Sequence, residues 1–316
     1  MISLQAENVK KAMLENKNLE YLLKTPLEVK RKNWEEAAAA DTLPEGMIIK
    51  RTVIRGTPAE WITMDNVSKD NIIMYFHGGG YSQGSIITHR KLTAHIVKST
   101  GLPILILDYP LAPENPYPAA LNRAKEVYSY LLNNGFKAQN IVLGGDSAGG
   151  GLAAALALFL KEKGIPLPKG IFMLSPWLDL TLSGESIKTC AEKDPLCFKE
   201  DLEMDADYYR GAEPLDSPFI SPIYSDITGF PSVLIQAGSD DMLLSDSTRF
   251  ADKAKASQVN VQLSIWDGMW HVFQAWVGGV PEATDAIDEI GWFTKTILYP
   301  ISSSQSSPPS LSSFTA

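Results

Sequence analysis

Apolar positions change their period along this 316-residue chain. Over residues 1–45, Val9, Met13, Leu14, Leu22 and Leu23 recur at helical spacings, and the alanines at 37–40 favour helix. The period then shortens. Segments 47–54 (MIIKRTVI) and 60–64 (EWITM) read as paired strands around the turn residues Gly56, Thr57 and Pro58. From Asn71 onward, short apolar runs at 71–76, 103–108, 140–145, 170–175, 232–237 and 261–266 alternate with longer amphipathic segments near 86–99, 117–134, 148–163 and 245–257. Strands apolar on both faces and separated by helices predict a mostly parallel, eight-stranded α/β sheet covered on both sides. One interval breaks the rhythm: 56 residues separate Ser175 from Ser232, with a helix expected near 200–211. An insertion of that length after a strand commonly carries a binding loop or a cap. Segment 301–316, with eight serines and two prolines, is too polar to pack and is expected to be a disordered tail.

Composition narrows the class. With 45% hydrophobic and 21% charged residues the chain is an ordinary globular protein, and its length allows one large α/β domain or two small ones. The net charge of −9 argues against a nucleic-acid partner. Residues 1–55 carry +2 and the remainder −11, which fits a solvated basic helix face near the N-terminus. Cys190 and Cys197 match no zinc or redox spacing and read as free thiols. The longest apolar run, 151–160, is ten residues, half of the roughly 20 that cross a bilayer. The charged N-terminus lacks a signal-peptide core, so a cytoplasmic protein without stable membrane insertion is expected. A homodimer is left open.

The chemistry sits at three places. Strand 140–145 runs into Gly145-Asp146-Ser147-Ala148-Gly149 and then a strong helix, the context in which G-x-S-x-G forms a nucleophile elbow. His77-Gly78-Gly79-Gly80 ends the strand 71–76, where glycines let backbone N–H groups converge on a developing oxyanion. Phosphate binding is disfavoured, because neither GxxxxGK[ST] nor GxGxxG occurs. Of four histidines, His77 belongs to the glycine motif, and His89 and His95 precede the elbow in a helical segment. Only His271, just past the last strand, fits the order Ser…Asp/Glu…His. The acid follows strand 232–237, where Asp240, Asp241 and Asp246 all compete.

The motifs HGGGYSQGS (77–85), DYPLAPENPYPAA (108–120), GGDSAGGG (144–151), SPWLDL (175–180), GSDDMLLSDS (238–247) and DGMWHVF (267–273) occur in order over about 200 residues. Together they resemble the hormone-sensitive-lipase family of α/β-hydrolase esterases. The family's D-P-L-R-D pattern places leucine two after the acid, and Leu243 stands two after Asp241, so the resemblance implies Asp241 with Asp240 as fallback. It also implies oxyanion donors at Gly79, Gly80 and Ala148, with His77 and Gly78 shaping that loop. A cap built from 1–45 and about 180–215, on a catalytic domain 46–300, follows from the same likeness. Pro110 stands where the family often has arginine, which bears on local support rather than on the reaction. Asp146 is expected to orient nearby loops; Asp179 would do the same or cap a turn.

These features lead to a serine carboxylesterase with a Ser147–His271–Asp241 triad, no metal and no organic cofactor. The expected partner is a small, neutral ester of short to medium acyl length. Tyr81, Trp177, Met242 and Trp270 flank the site and are expected to wall its pocket or to pack in the core. Lactone, amide or formamide hydrolysis would use the same triad. A non-catalytic hormone receptor, as plant gibberellin receptors are, is disfavoured because His271 is retained. A membrane-surface lipase has little support in an N-terminal helix whose amphipathicity suffices for cap packing.

Overall fold

The computed structural model describes residues 2–299; the serine-rich segment 301–316 lies outside the described residues. Three helices come first: α1 (Leu4–Glu15), α2 (Leu19–Lys24) and α3 (Leu27–Ala38). The alternation follows as β1 (Ile48–Ile54), β2 (Thr57–Thr63), β3 (Ile72–Phe76), α4 (Ile86–Thr100), β4 (Ile104–Leu107), α5 (Ala119–Asn133), β5 (Ile141–Asp146), α6 (Ala148–Glu162) and β6 (Gly170–Leu174). The insertion holds a short α7 (Ser186–Thr189) and α8 (Lys199–Arg210). The chain closes with β7 (Ser232–Gly238), α9 (Leu244–Ala256), β8 (Val261–Trp266) and α10 (Pro281–Leu298).

These strands form one eight-stranded sheet in the order β1-β2-β4-β3-β5-β6-β7-β8. Pairs β1–β2 and β2–β4 are antiparallel, and every other pair is parallel. The β1–β2 turn is tighter than expected. Arg55 and Gly56 both take positive φ (52° and 81°), so Thr57 and Pro58 already belong to β2. Two left-handed residues match the strand twist of a two-residue hairpin, which leaves no room for a longer turn.

Strands β3 to β6 are buried throughout, and separate apolar clusters cover the two faces of the sheet. One face packs α5, α6 and α9; the other packs α4 and α10. Helix α6 is buried from Ala148 to Leu158, which accounts for its apolar run. Helix α10 is the element that strand–helix alternation does not point to. Proline at its first position and burial of Ala283, Ala286, Ile287, Ile290, Phe293 and Ile297 make it an ordinary amphipathic helix. Among the described residues no helix is long and apolar enough to cross a membrane.

Candidate active site

Ser147 stands between β5 and α6 with φ 50° and ψ −121°, a conformation L-residues rarely adopt. Packing enforces it. A Cβ on Gly145 would lie 2.4 Å from the Gly149 carbonyl, and one on Gly149 would lie 2.0 Å from the Phe76 carbonyl oxygen. Only glycine fits two residues to either side, so the sharp turn and the G-x-S-x-G spacing have one steric cause. The Ser147 N–H donates to the Leu174 carbonyl (2.8 Å), tying the turn to β6.

His271 reaches Ser147 from the loop after β8. Its Nε2 is 2.9 Å from Ser147 Oγ, and its Nδ1 is 3.0 Å from Asp241 Oδ1. Asp241 accepts only at carboxylate oxygens, so the proton on that side belongs to Nδ1, leaving Nε2 free to accept from the serine hydroxyl. Burial disfavours a charged imidazole, yet the Asp241 carboxylate, with Asp194 and Asp146 beyond it, raises the His271 pKa above its ordinary value.

Geometry separates the three acids. Asp240 is bound by Lys10 of α1 and faces Lys193 at 4.0 Å, away from the imidazole. Asp246 accepts the N–H groups of Leu178 and Asp179 (2.8 and 2.9 Å), and burial pushes its pKa up to about 8. Asp241 alone of the three bonds His271.

The glycine loop lies on the other side of the serine. Gly79 and Gly80 line the same cavity as Ser147 and His271, and Ala148 opens α6 beside them. Among the described residues, the N–H groups of Gly79, Gly80 and Ala148 have no intramolecular acceptor, so they are available to a bound oxyanion. His77 stacks on Tyr109 (4.2 Å, 12°), and its Nδ1–H donates to the Gly78 carbonyl (2.8 Å). The Tyr109 hydroxyl in turn donates to the His77 carbonyl (2.7 Å). Gly78 rests on the Asp146 carboxylate, where a Cβ would come within 2.2 Å of Oδ2. Asp146 accepts from the Tyr75 hydroxyl (2.8 Å) and lies 3.1 Å from His89 Nε2. The expected loop-orienting role of Asp146 therefore has a physical basis, with His89 as a partner that its place in a helical segment did not reveal. Asp179 takes bonds from Thr181, Ser183 and Arg249, which pins the turn after β6.

A cavity of about 660 Å³ opens over Ser147. Its apolar wall comes from Trp34 of α3, Leu196, Phe198 and Leu202 of the insertion, and Trp276 beyond the base loop. Tyr81, Trp177, Met242 and Trp270 are not in that lining, which corrects one of the two expectations for them. All four are at most 1% exposed. Tyr81 stacks on Tyr209 (3.6 Å, 6°), Trp177 packs against Tyr81, and Trp270 meets Trp276 edge-on.

One set of donors could converge on a cation among the described residues: Asp194, Cys197 and His271, within 4.8 Å of one another. These donors are already engaged. Asp194 accepts three backbone N–H groups, His271 serves Ser147 and Asp241, and burial raises the Cys197 thiol pKa well above its ordinary value. Both cysteines are free and buried.

Known proteins resemble this chain in sequence and in fold. A family model described as an alpha/beta hydrolase fold matches residues 73–275. The chain is 39% identical over 232 residues to an esterase of Acinetobacter venetianus, covering 73% of this chain and 76% of that protein. A hormone-sensitive lipase from a metagenome library superposes with a TM-score of 0.90 at 38% identity, over 94% of this chain and 100% of the other. The crystal structure of EstE5 soaked with p-nitrophenyl butyrate superposes with a TM-score of 0.89 at 36% identity, over 94% and 99%.

Proposed function

The chain belongs to the hormone-sensitive-lipase family of α/β-hydrolase esterases and is a carboxylic ester hydrolase, and from that premise we propose that it works through a Ser147–His271–Asp241 triad and an acyl-enzyme. The observation that carries this reading is the unbroken relay of 2.9 and 3.0 Å beneath an open cavity. Ser147 attacks the ester carbonyl while His271 Nε2 takes its proton. The carbonyl oxygen becomes an oxyanion held by the N–H groups of Gly79, Gly80 and Ala148. His271 returns the proton to the leaving alkoxide, and water repeats the cycle to release the acid. Asp241 holds the imidazole tautomer and favours the imidazolium.

The substrates proposed are neutral esters of short to medium acyl length. The apolar wall of the cavity and its volume of about 660 Å³ suit such chains. Lys91 of the lining is already paired with Asp41 (3.4 Å), which disfavours an anionic acid or alcohol group. EstE5, soaked with a butyrate ester, supports the same range by likeness. Helix α3 and the insertion supply much of the wall, and the N-terminal helices and the insertion would act together as a cap.

A fluorophosphonate followed by peptide mass spectrometry tests the nucleophile. The adduct is expected on Ser147 and absent from Ser147→Ala; a folded wild-type chain without it would sink the triad reading. Rates across p-nitrophenyl esters from acetyl to dodecanoyl, with lactones and anilides beside them, then locate the substrate class. An optimum at the longest chains or at anilides would overturn the substrate reading.

A further inference from the structure

Asp194 is fully buried, belongs to the insertion rather than to the sheet, and has no part in the relay described above. Its Oδ1 accepts the N–H groups of Leu196 and Cys197 (2.9 and 3.3 Å), which folds its own loop into a turn. Its Oδ2 reaches across to accept the N–H of Met242 (2.9 Å), the residue immediately after Asp241. One of its oxygens also lies within 4.8 Å of a His271 ring nitrogen. The base therefore faces two buried carboxylates, one from the sheet side and one from the insertion.

We propose that Asp194 is a positioning residue of the triad: it holds the Asp241 turn in place through Met242 and sets a second carboxylate beside the His271 imidazole. This inference rests on the triad reading above. It gives the insertion a role in the chemistry as well as in the pocket wall.

Three observations support it. The Coulombic pull of Asp194 adds to that of Asp241 in raising the His271 pKa, and Asp241 in turn raises that of Asp194 after burial does. From the turn between α1 and α2, Lys17 donates to the backbone carbonyls of Asp194 and Ala191 (2.6 and 3.0 Å) and sits 4.6 Å over the Phe198 ring, so the loop is braced from outside. The turn it grips is braced from its other end as well, where the Ser186 hydroxyl donates to the Met242 carbonyl (2.7 Å). The charged and titratable groups around the Asp194 carboxyl are Asp241 and Asp240 from the acid turn and His271 from the base loop. Lys17 from the turn between α1 and α2 joins them, with Cys197 and Lys193 from its own loop. Asp241, Asp194 and Asp146 are the buried carboxylates that raise the His271 pKa, and of these Asp194 is the one supplied by the insertion. An added anion favours imidazolium, both as the resting acid form and in the transition state where the ring carries the serine proton.

The test compares wild type with Asp194→Asn and Asp194→Ser. Asn keeps the volume, and Ser keeps a small acceptor, while neither keeps the charge. The readout is the acidic limb of the pH profile of kcat/KM on p-nitrophenyl butyrate, normalised to sites titrated by fluorophosphonate. The expected result is a limb displaced to lower pH by about one unit with kcat reduced about tenfold at its plateau, KM changing less than kcat. An unmoved limb, whatever the loss of rate, would overturn the proposal, because a merely structural residue changes the amount of active enzyme and not its titration. Loss of the fold in both variants would overturn it too. Wild type that takes no label at Ser147 would instead refute the triad reading on which the inference rests.

Discussion

Two loops flank Ser147, each contributing a buried imidazole, and the two rings are pushed in opposite directions. His271 in the base loop has its pKa raised; His77 in the glycine loop has its pKa lowered to about 3 by burial and the neighbouring His89. Burial disfavours the charged form of both rings, so burial alone cannot account for the difference. Partners decide. His271 has a carboxylate on Nδ1 and a second one nearby, whereas His77 spends its Nδ1–H on a backbone carbonyl and stacks flat on Tyr109. An imidazole surrounded by carboxylates is a base; one bonded to carbonyls and aromatic rings is a strut.

The comparison breaks most directly at the base. His271→Gln is expected to lower kcat by about 10⁶-fold, while His77→Gln, which leaves the relay intact, should cost at most the roughly 10²- to 10³-fold lost with an oxyanion donor. Steady-state rates on one ester decide it, and comparable losses would erase the distinction. Next comes the acid. Asp241→Asn should reduce kcat about 10⁴-fold by favouring the wrong tautomer, whereas Asp240→Asn should cost less than tenfold, because Asp240 serves Lys10. A slower Asp240→Asn would reverse the assignment.

A third effect is on stability. The His77 pKa is about 3 folded and about 6.5 unfolded, so between these values the unfolded chain binds more protons. Its contribution to stability is complete above about pH 6.5 and is lost as pH falls toward 3. His271, with a raised pKa, works with the opposite sign: its contribution is present below about pH 6.5 and lost as pH rises through the folded value. Thermal midpoints measured from neutral to acid pH should fall more steeply for wild type than for His77→Gln. Equal slopes would show that the ring is not held neutral. The smallest effect is expected at the brace between the loops, where Lys10 bonds both Asp240 and the Gly268 carbonyl. Lys10→Met should cost about 1 kcal/mol in denaturant unfolding and slow turnover only a fewfold.

Much of this was legible in the chain, and the reasons are local. Strands 71–76, 140–145 and 232–237 are apolar on both faces because helices cover both faces of the sheet, and their ends carry the glycine loop, Ser147 and the acids. The elbow was readable since Gly145 and Gly149 are dictated by contacts at a fixed spacing from Ser147. The cavity wall was not. Trp34 is more than a hundred residues from the serine, and Leu196 and Phe198 stand in a polar insertion with no periodicity. Proximity in sequence suggested Tyr81, Trp177, Met242 and Trp270, yet all four pack into the core. Asp194 had no signal at all, since an aspartate in a polar loop looks the same whether solvated or buried.

The sequence by itself determined the fold class, the elbow and the order of nucleophile, acid and base, because each depends on spacing along one strand and its following turn. Only the tertiary structure decided which aspartate meets His271, which histidine is a strut, and which side chains see the substrate. Those outcomes depend on distances of about 3 Å between residues 30 and 124 positions apart, and on the electrostatics of groups that become neighbours only once water has been excluded.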